Sequence, residues 1–272
     1  MFKNIKPLIS IVTVVRNGRE FVEDTIVSVL SQTYENYEYI VIDGASQDGT
    51  VDVIASYSEK IKYWISEKDA GIADAFNKGY NATTGDYIIF LNADDYFVDS
   101  NVLQDVVNLI QSNNYPILVY GDCEVHERVG GNFLYRTNIQ LTIGRMKRGG
   151  MLPQPSLFSH RSYFEKYGLF DLKFKIAMDY EWLLRGARNE IIVHIFRCIS
   201  CVRNGGVSTT NQKAVITEII RALRKNNYFR FAFGGWLLLI YFMVRMYVKD
   251  FLIILGWYDK FNVWRFSISS RK

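Results

Sequence analysis

Only 4 prolines and 19 glycines occur in the 272 residues, which excludes a collagen-like or low-complexity chain. Cysteine is limited to Cys123, Cys198 and Cys201, an odd set that argues against a disulfide framework and fits a reducing compartment. Cys198 and Cys201 have C-x-x-C spacing, but no second pair or neighbouring His completes the roughly four ligands of a structural zinc. The stretch IIVHIFRCISCV therefore reads as a strand with buried free thiols. The three histidines, His126, His160 and His194, show no metal-ligand or triad spacing. Walker A, G-x-G-x-x-G and G-x-S-x-G patterns are all missing. The opening MFKNIKPLISIVTVV has no small-residue cleavage site and is rich in β-branched residues. It predicts a first buried strand, and no cleaved leader is expected.

Hydrophobic residues make up 49% of the chain and charged residues 22%, far from the balance of a disordered segment. A chain of this length buries roughly three quarters of its unfolded surface, enough for one core without a staple. The net charge of +4 is too weak to indicate nucleic acid. It is unevenly divided, however. Residues 213–272 hold 11 Lys and Arg against Glu218, Asp250 and Asp259, a net of +8, which leaves −4 on the preceding 212 residues. An acidic body with a basic, aromatic tail suggests a domain that sits on an anionic surface.

Apolar β-branched runs alternate with helical periodicity through the first third. Strands are predicted at 8–15, 39–42, 62–66, 87–91 and 117–120, and helices at 20–32, 51–57, 72–80 and 101–111. This is the signature of a mostly parallel sheet covered on both faces, an α/β fold whose ligands bind at the carboxyl ends of the strands. The polar residues gather there: Arg16-Asn17, Asp43, Glu67 and Asp69, and Asp94-Asp95. Further on, a hairpin around Gly130-Gly131, a basic loop RMKRGG (145–150), and helices at 162–166 and 178–188 are expected.

Asn92-Ala93-Asp94-Asp95 ends an apolar strand, and adjacent carboxylates there need a compensating cation or helix terminus. Such oxygen ligands suit Mg²⁺ or Mn²⁺ bridging to a diphosphate; the plainer alternative is a turn cap. Asp43 opens a second acidic turn, DGASQDGT, and is placed to accept from a base N–H or a ribose hydroxyl, whereas Asp48 reads as a helix cap. Asp74 and Lys78 lie one turn apart on a helix face, either as an exposed ion pair or as a polar face aimed at a nucleotide. Asp179-Tyr180-Glu181-Trp182 starts a late helix; Asp179 there is either a dipole-favoured helix carboxylate or a general base, with Trp182 offering an apolar face to a sugar.

In this order the pieces resemble the family-2 glycosyltransferases of the GT-A fold, which build bacterial surface polysaccharides. The matching stretches run over about residues 8–210: SIVTVVRN, SVLSQTY, IDGASQDGT, EKDAGIADAFNKG, GDYIIFLNADD, FKIAMDYEWLLR and GGVS. The resemblance implies a GT-A catalytic domain over 1–210, with a nucleotide-sugar half to about 122 and an acceptor half over 123–210. It implies inverting transfer from a nucleotide-diphosphate sugar, usually UDP-linked. The donor contacts it implies are Thr13, Val15, Arg16, Asn17, Asp43, Asp69, Asp74, Lys78, Asn92, Ala93 and Asp94. Asp94 and Asp95 would hold the divalent metal, with Asn92 replacing the first acid of the family's D-x-D. Asp179 matches the catalytic base, with Met178 where the family usually has Glu; Gln154, Glu181 and Trp182 would meet the acceptor. The competing readings are a sugar-phosphate nucleotidyltransferase, which would want a glycine-rich basic loop after the first strand, and a non-catalytic membrane-bound nucleotide-sugar-binding protein.

Residues 211–272 are expected to form a helical tail. Its apolar stretch Phe231–Val244, 14 residues, would span roughly 21 Å as a helix, short of the ~30 Å hydrocarbon core. Tyr241, Arg245 and Lys249 make a polar stripe on it, a pattern that predicts interfacial attachment to the inner face of the cell membrane, next to a polyprenyl-diphosphate-linked sugar acceptor. Packing on protein and a tilted span are the alternatives.

Overall fold

The computed structural model describes residues 6–137, 140–206 and 211–228, with isolated positions at 240, 241, 244, 247 and 257. The chain begins with β1 (Ile9–Val15), in which six of seven residues are β-branched and all seven are buried. It continues through α1 (Val22–Leu30), β2 (Tyr37–Asp43), α2 (Thr50–Ser56), β3 (Tyr63–Ser66), α3 (Ile72–Asn81) and β4 (Tyr87–Phe90). These four strands pair in parallel in the order β3-β2-β1-β4. Val15 lies opposite Asp43, and Asp43 opposite Ser66, so the strand ends form one polar edge.

Alternation along β1 explains why both faces are covered. Ile9 and Ile11 join one apolar cluster with Val22, Ile26 and Val29 of α1; Val12 and Val14 join the other with Ala73 and Phe76 of α3. Gly79 lets α3 settle on the sheet, since a Cβ there would stand 2.3 Å from Val12 Cγ1.

The second half is of mixed direction. It comprises β5 (Asp95–Phe97), α4 (Val102–Ser112), β6 (Leu118–His126), β7 (Phe133–Arg136), α5 (Ile143–Met146), β8 (Leu157–His160), α6 (Arg161–Tyr167), α7 (Met178–Gly186) and β9 (Ile192–Arg203). The sheet extends as β4-β8-β6-β9-β5, with only β6–β9 parallel in this part, and β7 pairs with β6 off that path. The expected hairpin is β6–β7, and its turn uses Gly130 at φ +83° and Gly131 at φ +66°. Cys198 and Cys201 are buried free thiols within β9. Residues three apart on a strand point to opposite faces, so this C-x-x-C cannot converge on one ion.

A further helix, α8 (Gln212–Lys225), packs against α7. Ile219, Ile220, Ala222 and Leu223 are buried there, and the Tyr228 hydroxyl donates to Leu184 O at 3.0 Å. Residues 212–228, which the sequence placed in the tail, therefore share the apolar core that α3 and α7 line. The apolar stretch 231–244 and the stripe at Arg245 and Lys249 lie outside the described residues, apart from the isolated positions. Among the described residues no helix is long and apolar enough to cross a membrane.

At the opposite edge of the sheet, buried Glu38 accepts hydrogen bonds from Ser10 Oγ, Lys62 Nζ, Thr84 Oγ1 and the N–H groups of Thr84 and Gly85. Burial alone would raise this carboxyl's pKa, but the donors from Lys62, Ser10 and Thr84 outweigh it and draw the value down to about 2. A folded pKa below the ordinary 4.5 means a stabilisation present above pH 4.5 and lost as pH falls through 2. It amounts to about 3 kcal/mol. Urea unfolding should show wild-type stability falling by that order across this window, while Glu38→Gln is weaker at pH 7 and flatter below 4.5. Parallel curves for the two proteins would refute this role.

Candidate active site

Three loops meet at the carboxyl ends of β1, β2 and β3. After β1, Arg16 and Asn17 are exposed, and Asn17 takes a left-handed conformation at φ +52°. This loop is stitched to the turn after β2: Asn17 N–H donates to Ser46 Oγ (2.7 Å), Gln47 N–H to Asn17 Oδ1 (3.0 Å), and Arg19 N–H to Asp48 Oδ2 (3.1 Å). Asp48 accepts from the Thr50 N–H at the head of α2 (3.0 Å), but from one residue before the cap position, which Gly49 occupies. Asn17, Gly18, Arg19, Phe21, Asp48 and Arg128 line an open cavity of about 380 Å³.

Asp43 is fully buried. It accepts from Ser46 N–H (2.9 Å), Ser46 Oγ (2.5 Å) and Ser66 Oγ (2.6 Å), so its carboxylate holds the turn itself. Asp69 accepts from Gly71 N–H at 2.8 Å and presses its other oxygen against Gly44, where a Cβ would come within 2.4 Å. Asp74 accepts from Ala70 N–H, and Lys78 reaches Glu67 (2.6 Å), Asp74 (3.6 Å) and Lys68 O (2.9 Å). The Asp74–Lys78 pair thus braces the loop between β3 and α3.

Thr25 of α1 holds the Asn92–Asp95 segment by donating to Ala93 O (2.9 Å) and Asp95 O (2.6 Å). Asn92 Nδ2 donates to Asp95 Oδ2 at 3.0 Å, while Asn92 Oδ1 is buried without a partner. Burial, then the neighbouring Asp94 charge, pushes the Asp95 carboxyl well above the usual carboxylate range. Asp94 is paired at 2.9 Å with Arg128 from the β6–β7 turn. Arg203 donates to Asp94 O at 3.0 Å, and both guanidinium groups stack on Phe21, at 4.6 and 4.7 Å. Fixed acidic oxygens, an orphaned amide oxygen and a cation already resting on Asp94 suit a hard divalent ion.

Asp179 is the second residue of α7 and retains a little surface despite dense surroundings. Burial pushes its carboxyl up to about 7, aided by the Glu218 charge and opposed by the backbone N–H groups it accepts from, including Tyr180 at 2.7 Å. The loop before it is tied to the loop between β3 and α3, since Lys175 Nζ donates to Ala70 O at 3.0 Å.

Four residues expected at the donor or the acceptor have buried side chains. The Thr13 side chain is buried in mid-strand and accepts from the Tyr39 hydroxyl; Val15 is likewise buried, with its carbonyl taken by Gly44 N–H. Trp182 and Glu181, expected at the acceptor, are both 0% exposed. Trp182 lies among Tyr163, Phe164 and Phe170 and donates to Gly168 O. Glu181 is neutralised by Arg185 and Lys225. Asp179 starts the helix, and positions two and three further on turn inward to the core. Gln154 is also buried, but its Oε1 lacks a partner. Arg128, Arg203 and Glu218 were not legible as site residues, because nothing local marks a lone charge that acts across 34 or more residues.

Among the described residues the cluster of mixed metal-ligand types is Glu124, His126 and Cys201, whose ligand atoms lie within 4.8 Å of one another. Burial holds the Cys201 thiol up at about 11, so it stays protonated beside the Glu124–His126 pair.

The family model for glycosyl transferase family 2 matches residues 10–185. The chain belongs to that family. An uncharacterized glycosyltransferase of Mycobacterium tuberculosis is 30% identical over 232 residues, covering 84% of this chain and 87% of the relative. The chain spans only 30% of the length of a matched Rickettsia felis relative. Two solved folds are similar at low identity. TarS from S. aureus in complex with UDP-GlcNAc has a TM-score of 0.62 at 16% identity, over 79% of this chain and 66% of that one. A Pyrobaculum calidifontis mannosyltransferase in complex with GDP-Man and Mn²⁺ has a TM-score of 0.61 at 14% identity, over 84% and 66%. Family and neighbours agree on a GT-A frame.

Proposed function

We propose that this family-2 chain is an inverting glycosyltransferase that moves a sugar from a UDP-linked donor to a hydroxyl of a polyprenyl-diphosphate-linked glycan in surface-polysaccharide synthesis. The observation that carries the reading is Asp179, a carboxylate whose pKa of about 7 lets it take a proton at neutral pH, at the family's base position. The acceptor hydroxyl gives its proton to Asp179 as it attacks the anomeric carbon from the face opposite the diphosphate. Asn17, Arg19 and Asp48 frame the cavity for the nucleoside. Asp94, Asp95 and Asn92 Oδ1 would hold Mg²⁺ or Mn²⁺, which when bound neutralises charge growing on the departing diphosphate. Arg128, now paired with Asp94, would compete with the ion for it. Gln154, with its unpartnered oxygen, remains the expected acceptor contact.

The deciding experiment is a screen of nucleotide sugars for thermal stabilisation and for metal-dependent UDP release, with and without lipid-linked sugars. Release of pyrophosphate from a sugar phosphate and a nucleoside triphosphate would instead establish a nucleotidyltransferase. Donor binding without turnover would establish a binding protein.

The same reading places the basic tail on an anionic membrane at the cytoplasmic face. Because α8 belongs to the core, the informative truncation ends after Tyr228 rather than near residue 211. That shortened chain should stay folded and stop sedimenting with phosphatidylglycerol vesicles. Unchanged sedimentation would sink the membrane assignment.

A further inference from the structure

We propose that Glu218 is a positioning residue for Asp179, supplied by a helix that the sequence assigns to the tail. The proposal rests on the reading of Asp179 as the base. Helix α7 begins without a side-chain cap, since its N-cap residue is Ala177. The first N–H groups of a helix and of the chain entering it need acceptors. Here one carboxylate from α8 serves them: Glu218 accepts from the N–H groups of Lys175 (2.8 Å), Ile176 (2.9 Å) and Ala177 (2.8 Å). Bonds to an ionised acceptor are stronger than neutral ones, and three on successive peptides fix the backbone direction immediately before Asp179.

That direction matters because backbone alone orients the base. The Asp179 carboxylate takes a hydrogen bond from Tyr180 N–H, and no side chain among the described residues bonds to it. The grip of α8 extends along the same helix face. Arg221 donates to Lys173 O and lies over the Phe174 ring, and Lys225 pairs with Asp171 at 2.7 Å. Residues 218, 221 and 225 thus clasp 171–177, while Ile219, Ile220 and Leu223 anchor the helix in the core.

Glu218 also acts on Asp179 as a like charge. The other charged groups nearby are turned elsewhere: Lys175 to Ala70 O, Glu181 to Arg185 and Lys225. The cap therefore both aims the base and helps to keep it protonatable near neutral pH.

The test compares Glu218→Ala, Glu218→Gln and Arg221→Ala in the full chain. It reads kcat and KM for metal-dependent UDP release from the donor found in the screen, across pH 5–9. Glu218→Ala should lower kcat by about tenfold or more with donor KM little changed, and move the acid limb to lower pH. Glu218→Gln, which keeps an acceptor oxygen but no charge, should recover part of kcat while the limb stays displaced. Arg221→Ala should lose melting temperature without moving the limb. If the Ala variant fails to fold, the Gln variant carries the same two readouts. A wild-type limb in the Gln variant, or kcat losses that merely track melting temperature across all three, would overturn the proposal. Asp179→Asn, run alongside, separates the two ideas. An active Asn variant removes Asp179 as base and Glu218 with it, whereas a dead one beside wild-type Glu218 variants removes only the cap.

Discussion

Asp179→Asn is expected to cut acceptor-dependent transfer by about 10²–10⁴-fold, the usual worth of a positioned general base, while leaving nucleotide-sugar binding largely intact. The same change should stabilise the protein in neutral and basic buffer. Burial raises the Asp179 pKa from 3.8 to about 7, so the folded state holds the proton more tightly than the unfolded chain does. The associated stability is present below pH 3.8 and is lost as pH rises through 7. At pH 8 the ionised carboxylate therefore costs up to about 4 kcal/mol, lessened by the surface it retains, and a neutral amide avoids that cost. Melting curves of the two proteins should coincide near pH 4 and diverge by pH 8, with the Asn variant higher. Wild-type transfer in this variant would end the base assignment. A variant that is inactive but no more stable at pH 8 would instead show that the carboxylate is better solvated than its surroundings imply.

Asp94→Asn carries the second large effect. Removing one anionic oxygen from the segment that would hold the divalent ion should lower metal-dependent turnover by about 10²–10³-fold, because charge on the departing diphosphate then goes uncompensated. The partner variant is Arg128→Ala. Arg128 lies 2.9 Å from Asp94 in a part-exposed pair, a contact worth about 0.2–1 kcal/mol. Removing it should tighten Mn²⁺ binding to the donor-free protein by up to about fivefold, as read by calorimetry. Equal Mn²⁺ affinity in wild type and Asp94→Asn would take the ion away from this segment. Looser binding in Arg128→Ala would mean that the guanidinium helps to build the site rather than competing for it.

These two variants draw on parts of the molecule that differ in how readable they are. The Asn92–Asp95 segment announces itself, because three polar residues, Asn92, Asp94 and Asp95, follow an apolar strand and have to lie at its carboxyl end. Arg128 does not, since only the β6–β7 pairing swings it across to Asp94. Asp179 is legible as a carboxylate at a helix start. The burial of its neighbours Glu181 and Trp182 is not legible, because chemical type does not reveal which way a helix face turns. An acid and a tryptophan beside a base suggest a sugar site, yet α7 turns them into the core, where Arg185 and Lys225 neutralise the acid and Tyr163 and Phe170 enclose the indole. Thr13 and Val15 belong to a matching stretch, but motif membership marks the strand and not which of its side chains are buried.

The scarcities of the sequence hold their meaning in the fold. Three cysteines without a framework are three free, buried thiols. Strand–helix alternation, the placement of acids at strand ends and family membership all follow from local periodicity and short motifs, and these survive in one dimension because neighbouring residues enforce them. What depends on residues distant in sequence was decided only by tertiary structure. It sets the mixed pairing of the second half of the sheet, the inward turn of Glu181 and Trp182, and the resting of Arg128 on Asp94. It also decides the standing of residues 212–228. Their basic charge allied them with the tail, but an amphipathic helix goes wherever its apolar face can be covered, and here α7 covers it.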